Sequence, residues 1–177
     1  MIVASVAGLL SFNANAQTAV NYSSTVNSQI SFDGSGHFTF APAANNLVIT
    51  SGTASGLSGQ LTGTYGIGTI STAGNVSTAP VSGTGTLTIF DGSKTFTATL
   101  ACVDIQQVGT GGSLNVTGAV NLTGVSYAGT NPDLKALATA GSGSNALSFH
   151  FTGAPLSALA SGAGSYQTSF SGSFSTP

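Results

Sequence analysis

The sequence predicts an all-β chain, an antiparallel β-sandwich of jelly-roll or Greek-key type. Three observations carry this. Apolar and polar residues alternate with period two along most of the chain, the spacing that puts successive side chains on opposite faces of a sheet. The alternating runs are short, recur about every ten residues and are separated by Gly-rich turns. The residues that build helical bundles are scarce: there is no Glu, no Arg and only two Lys. A β-solenoid is the alternative fold, because segments 61–68 and 82–88 echo each other, although no strict repeat of solenoid length runs through the chain.

Taken in order, the first segment stands outside the fold. Residues 2–12 form an apolar run, and Ala14-Asn15-Ala16 supplies a small-x-small pattern before Gln17. This reads as a secretory h-region and cleavage site, with residues 1–16 as signal peptide and 17–177 as a single β domain. Only Met1 precedes the run, so the basic n-region is missing, as it would be in a signal truncated at its start. The run is shorter than the about 20 residues a bilayer requires, and no other stretch approaches that length. The mature chain is therefore expected to carry no membrane span.

Segments 29–32 and 37–40 alternate around the turn Asp33-Gly34-Ser35-Gly36, and 47–49 and 61–65 read as further strands. The clearest hairpin joins 85–90 to 95–100 around Asp91-Gly92-Ser93-Lys94. Residues 114–127 read as one long alternating strand, bent or bulged near Gly118 or Gly124. Segments 147–152 and 166–174 complete the set, the last with Phe170 and Phe174 on one face. One short helix is expected near 132–138, with Asn131 as N-cap and Pro132 in its first turn. A short turn is expected at 155–159. Few lysines guard the strand edges, so self-association through them is a use or a hazard.

Composition excludes several functions. Gly, Ser, Thr and Ala make up 98 of 177 residues, and the six charged residues are Asp33, Asp91, Asp104, Asp133, Lys94 and Lys135. Two lysines cannot neutralise a phosphate backbone, so no nucleic-acid partner is expected. The apolar content is thin, but a net charge of −2 lacks the self-repulsion of a disordered chain.

The residues able to carry chemistry are few. His37 and His150 each neighbour phenylalanines, and alternation turns the rings inward and the imidazoles outward, away from a shared metal. Serines abound, but no Gly-x-Ser-x-Gly elbow occurs. Asp33 and Asp91 sit in turn signatures, Asp133 at a helix start, and Asp104 mid-strand facing solvent, so no carboxylate pair suited to glycoside hydrolysis is formed. Cys102 lies in an apolar run and reads as a buried small hydrophobe. Gly-x-Gly pairs such as Gly66-Ile67-Gly68 lack both the third dinucleotide glycine and the phosphate-loop lysine. Sequons begin at Asn21, Asn75, Asn115 and Asn121 at a frequency this composition explains. Thr86-Leu87-Thr88 and Thr95-Phe96-Thr97-Ala98-Thr99 line hydroxyls along one strand face, as on some ice-binding surfaces; a solvated sheet face is the ordinary reading. No catalytic, cofactor-binding or metal-ligating residue is assigned, no ligand-binding residue can be named, and no cofactor is expected.

Three stretches carry a resemblance: Ile30-Ser31-Phe32-Asp33-Gly34-Ser35-Gly36-His37-Phe38-Thr39-Phe40, Ser82-Gly83-Thr84-Gly85-Thr86-Leu87-Thr88 and Leu114-Asn115-Val116-Thr117-Gly118. Together with the end, Phe170-Ser171-Gly172-Ser173-Phe174-Ser175-Thr176-Pro177, they resemble the exported Ser/Thr/Gly-rich β proteins of the PEP-CTERM sorting system. The tag of that system, a Pro-Glu-Pro motif with an apolar helix and a basic end, is not among these residues. The resemblance implies a bacterial envelope or matrix protein and transfers no functional residue.

The expected function is that of an exported, non-enzymatic cell-surface or extracellular-matrix protein, associated with exopolysaccharide through a hydroxyl-rich β surface. Two alternatives stand beside it. One is a carbohydrate or small-ligand module with Tyr22, Tyr65, Tyr127 or Tyr166 as stacking platforms. The other is a self-assembling fibre or adhesin subunit joined at strand edges.

Overall fold

A computed structural model of the chain describes residues 17–26, 28–40, 43–150, 154–162 and 166–177. The expected signal peptide, residues 1–16, lies outside them. The strands are β1 Ala19–Ser24, β2 Ile30–Phe32, β3 His37–Phe40, β4 Leu47–Ile49, β5 Ser58–Leu61, β6 Thr64–Ile67, β7 Ser71–Ala73 and β8 Val76–Ser82. They continue as β9 Thr84–Phe90, β10 Thr95–Ala101, β11 Asp104–Val108, β12 Gly111–Leu114, β13 Leu122–Ser126, β14 Ser144–His150, β15 Tyr166–Thr168 and β16 Phe170–Ser175. Two helices, α1 Pro132–Ala140 and α2 Leu156–Ser161, complete the described fold.

The antiparallel all-β expectation holds. The hydrogen-bonded path runs β13-β10-β9-β5-β4-β1-β16-β14-β12-β11-β8-β6-β3-β2-β15, with β7 beside β8. Neighbours along this path pair antiparallel, as in β9 with β10 and β14 with β16. The solenoid alternative, which stacks its strands in parallel, does not describe this sheet.

The two layers of a sandwich are here made by one sheet curled into a half barrel. The turn-over lies in β8. Its first half pairs with β11 and its last residues pair with β6. Pro80, which has no N–H to give a ladder, stands at that changeover, where Gly68 donates its N–H to the Pro80 carbonyl at 2.8 Å. The short arm β15-β2-β3-β6 thereby folds over the long arm. Phe32 meets Phe149 with ring centroids 5.5 Å apart, Phe40 meets Phe170 at 5.3 Å, and the Tyr65 hydroxyl donates to the Leu100 carbonyl at 3.4 Å.

The core between the arms is aromatic. Phe38 stacks on Tyr65 at 5.0 Å and Tyr22 on Phe174 at 4.4 Å. Such pairs add about 0.5–1.5 kcal/mol beyond the area they bury. Two glycines make room for these rings. Gly172 lies opposite Tyr22 and Gly112 opposite Phe149. A Cβ at Gly112 would overlap the Phe149 ring, and one at Gly172 the Tyr22 hydroxyl. A bare strand residue here lets a ring lie flat across its neighbour.

Buried amides add specificity. The Tyr22 hydroxyl donates to Asn145 Oδ1 at 2.7 Å. The Asn145 backbone N–H donates to Asn121 Oδ1 at 2.6 Å, and its carbonyl accepts from Asn115 and Asn121. Asn46 pairs with both the N–H and the carbonyl of Leu61, so a side chain extends the ladder where a strand is lacking.

Helix α1 begins as expected, with Asn131 Oδ1 accepting from Leu134 N–H at 3.2 Å, and ends at Gly141 in the left-handed region. A second helix, α2, occupies the region of the expected turn at 155–159. Leu134, Leu137, Leu156 and Leu159 join the sheet's core. Neither helix is long and apolar enough to cross a membrane.

The structure corrects three local expectations. Residues 114–127 are not one bent strand: β12 ends at Leu114, Asn115 takes a positive φ of 55°, and β13 begins at Leu122. Of the two places expected to bend or bulge, Gly118 lies in the loop after β12, and Gly124 lies where the register between β10 and β13 shifts. Residues 61–65 are split between β5 and β6, and 166–174 between β15 and β16. The Leu122 end of the β13 edge is also covered. Asn121 and Leu122 donate to the Gly143 carbonyl, and Gly143 donates back to Leu122. The far edge strand, β15, is three residues long.

Candidate functional site

Alternation divides every long strand. On β10, Phe96, Ala98 and Leu100 are buried while Thr95, Thr97 and Thr99 are exposed. Extended over the sheet, this clads the convex outer face with hydroxyls. Pairing then aligns them. Ser23 lies opposite Ser171, Ser171 opposite Ser148, and Ser148 opposite Ser113. The line continues from Ser113 to Gln106, Thr78 and Ser71. Directly paired residues share a face, and strands lie about 4.7–4.9 Å apart, so this row spans about 30 Å across seven strands.

A second field lies on the far side of β1 and β4. Thr97 faces Thr88 and Ser126, and Thr99 faces Thr86 and Thr123. Thr62 and Thr86 bond through their hydroxyls at 2.7 Å. Of the six charged residues, five sit in turns or on α1. Only Asp104, the first residue of β11, belongs to a strand.

Each carboxylate is occupied with backbone. Asp33 Oδ1 accepts from the N–H groups of Ser35 and His37. The Ser35 amide above all holds its carboxyl below the usual range. Asp91 Oδ1 accepts from Ser93 and Lys94, and Oδ2 takes a short hydrogen bond from the Tyr127 hydroxyl. That hydroxyl, ahead of the amides, keeps the Asp91 carboxyl far below its ordinary value. Asp133, expected only to complement a helix start, also accepts from Thr53 N–H at 2.6 Å and Ala54 N–H at 3.3 Å. It ties α1 to the loop after β4.

Asp104 differs from the expectation of a solvent-facing mid-strand acid. It opens β11, is half-exposed, and its Oδ1 accepts from Val116 N–H at 2.8 Å while Oδ2 accepts from the Thr117 hydroxyl at 3.2 Å. It lies in a cleft of about 410 Å³ at the β8 end of the serine row. Gln106, Thr78 and Ser71 belong to both row and cleft.

The remaining candidates are dispersed. His37 and His150 are both exposed, on β3 and β14, and His37 Nδ1 lies 3.3 Å from Asp33 Oδ2. Among the described residues no three of His, Cys, Asp and Glu converge as metal ligands. Cys102 is 4% exposed, and burial pushes its thiol up to about 12. Tyr22 and Tyr65 are not stacking platforms: they are 2% and 0% exposed and lie in the core. Tyr127 and Tyr166 are half-exposed. Of the sequon asparagines, Asn115 and Asn121 are buried in the amide network, while Asn75 lies exposed between β7 and β8.

Sequence reasoning missed the serine row and the Asp104 cleft. The alternating serines of 171–175, and Ser144 and Ser148 on one side of their strand, signalled an outward face, but no local pattern signalled which strands would lie side by side. No family model, no curated protein and no solved structure matches the chain.

Proposed function

We propose that this chain is an exported, non-enzymatic component of a bacterial surface or matrix whose outer face holds neutral exopolysaccharide through many weak hydrogen bonds. The observation that carries the reading is the uncharged row from Ser23 to Ser71, with the threonine field beside it. Short hydroxyl side chains on a rigid sheet are already positioned, so each contact requires little further ordering. A polymer of repeated sugars can engage many at once, and tethered weak contacts sum to useful avidity. Export is supported by the apolar run 2–12 and the Ala14-Asn15-Ala16 pattern. Strand-edge assembly has less support, since Gly143 covers the Leu122 end of β13 and β15 is short.

The test is co-sedimentation of the full chain with insoluble neutral glucans, galactans and mannans. Retention on at least one, unchanged up to about 1 M salt, is expected, because uncharged contacts are not screened. Ser148→Glu with Ser171→Glu should abolish it while the fold persists. Absence of retention on all three polymers, or loss of retention in salt, would overturn the reading.

A further inference from the structure

We infer that the cleft around Asp104 is a subsite for one uncharged hexose unit, held through neighbouring hydroxyls by the carboxylate. This rests on the reading of the outer face given above and names where on it a single sugar sits. The first support is the carboxylate itself. Val116 N–H and the Thr117 hydroxyl fix one lone pair on each oxygen. A carboxylate has about four acceptor positions, so each oxygen keeps one for an incoming O–H. Hydrogen bonds to an ionised acceptor are the strong kind, and here the acceptor is oriented before the ligand arrives.

The second support is what stands beside it. Gln106 lies two residues along the same face of β11, in register with Thr78, and Thr69 and Ser71 close the far side. These supply an amide and hydroxyls able both to donate and to accept, as a sugar requires. The third is apolar. Val103 and Val116 are 40% and 47% exposed, valines the core does not take up, and with Pro80 they form an aliphatic ledge. A pyranose presents C–H groups on one face and hydroxyls at its rim, which matches a ledge beside a polar edge. The volume, about 410 Å³, falls within the range of about 300–1,000 Å³ for small-molecule sites. No cation lines the cleft, so a uronate would meet Asp104 as an uncompensated like charge.

The experiment is a titration of the isotope-labelled full chain with neutral hexaoses of glucose, galactose and mannose, followed by amide chemical shifts. Oligogalacturonate serves as the charged control. At least one neutral series should move the amides of Asp104, Gln106 and Val116. Asp104→Asn should weaken that binding about tenfold. Gln106→Ala, at a half-exposed amide, should also weaken it and covers the case in which Asp104→Asn loosens the turn after β12. Shifts confined to other strands, affinity unchanged in both variants, or equal binding of oligogalacturonate would each overturn the subsite. Polymer retention with silent hexaoses removes the subsite and leaves the surface reading standing; loss of both removes both.

Discussion

The inner and outer faces of this sheet are built from the same strands and obey different rules. Inside, Phe38 contacts Phe32, Phe40 and Tyr65 at 5.3, 6.3 and 5.0 Å, and glycines are placed where a ring must pass. Outside, Ser23, Ser171, Ser148 and Ser113 align in register. Packing dictates the inner identities. It does not dictate the outer ones, since a solvated strand face admits charged side chains as well as hydroxyls. The near absence of charge on the outer strands is therefore not imposed by the core, and the proposed polysaccharide contact rests on it.

The comparison is broken most directly from inside. Phe38→Ala removes a fully buried ring from the junction of three others and should cost about 3–5 kcal/mol in denaturant unfolding. A loss below about 1 kcal/mol would mean that the arms are not packed as described. Gly112→Ala tests the flat-lying ring. Phe149 must move to admit a methyl group, and about 1–3 kcal/mol of destabilisation is expected; a neutral outcome would show the ring is free to tilt away.

A third test lies at the rim between the faces. Asp91 has its folded pKa lowered by the Tyr127 hydroxyl and then by the amides of Lys94 and Ser93. The unfolded chain therefore takes up this proton first. The stability it contributes is fully present above the ordinary carboxylate range and is lost as pH falls below about 4 toward the folded value. Asp91→Asn should flatten the acid limb of stability against pH. An unchanged limb would show that the Tyr127–Asp91 hydrogen bond does not contribute to stability. The smallest effect is outside: Ser148→Ala and Thr97→Ala should each shift stability by less than about 0.5 kcal/mol. A larger loss would show that the outer hydroxyls serve the fold and not a partner.

Legibility followed the range of the forces. The β9–β10 hairpin was readable because Leu87, Ile89, Phe96 and Ala98 alternate on either side of an Asp-Gly turn. Helix α1 was readable because Asn131 and Pro132 cap it locally. The break after Leu114 was not, because the alternation runs on through Asn115, whose positive φ is held by the buried Asn121–Asn145 neighbourhood. Tyr22 and Tyr65 looked like ligand platforms because nothing in their surroundings reveals that Gly172 and Phe38 wait across the sheet. Asp104 looked solvent-facing because its partners, Val116 and Thr117, lie beyond the next strand.

By itself the sequence determined that the chain is β, which residue of each adjacent pair turns inward, and where the one well-capped helix starts. Those follow from steric alternation along a strand and from side chains bonding their nearest amides, and both act within a few residues. Only the tertiary structure decided that one sheet curls over at Pro80, that uncharged polar residues from seven strands, five of them serines, fall into line, and that a lone carboxylate opens into a cleft. Neighbour order across a sheet is set by burying every apolar face at once, a condition on the whole chain that no short window contains.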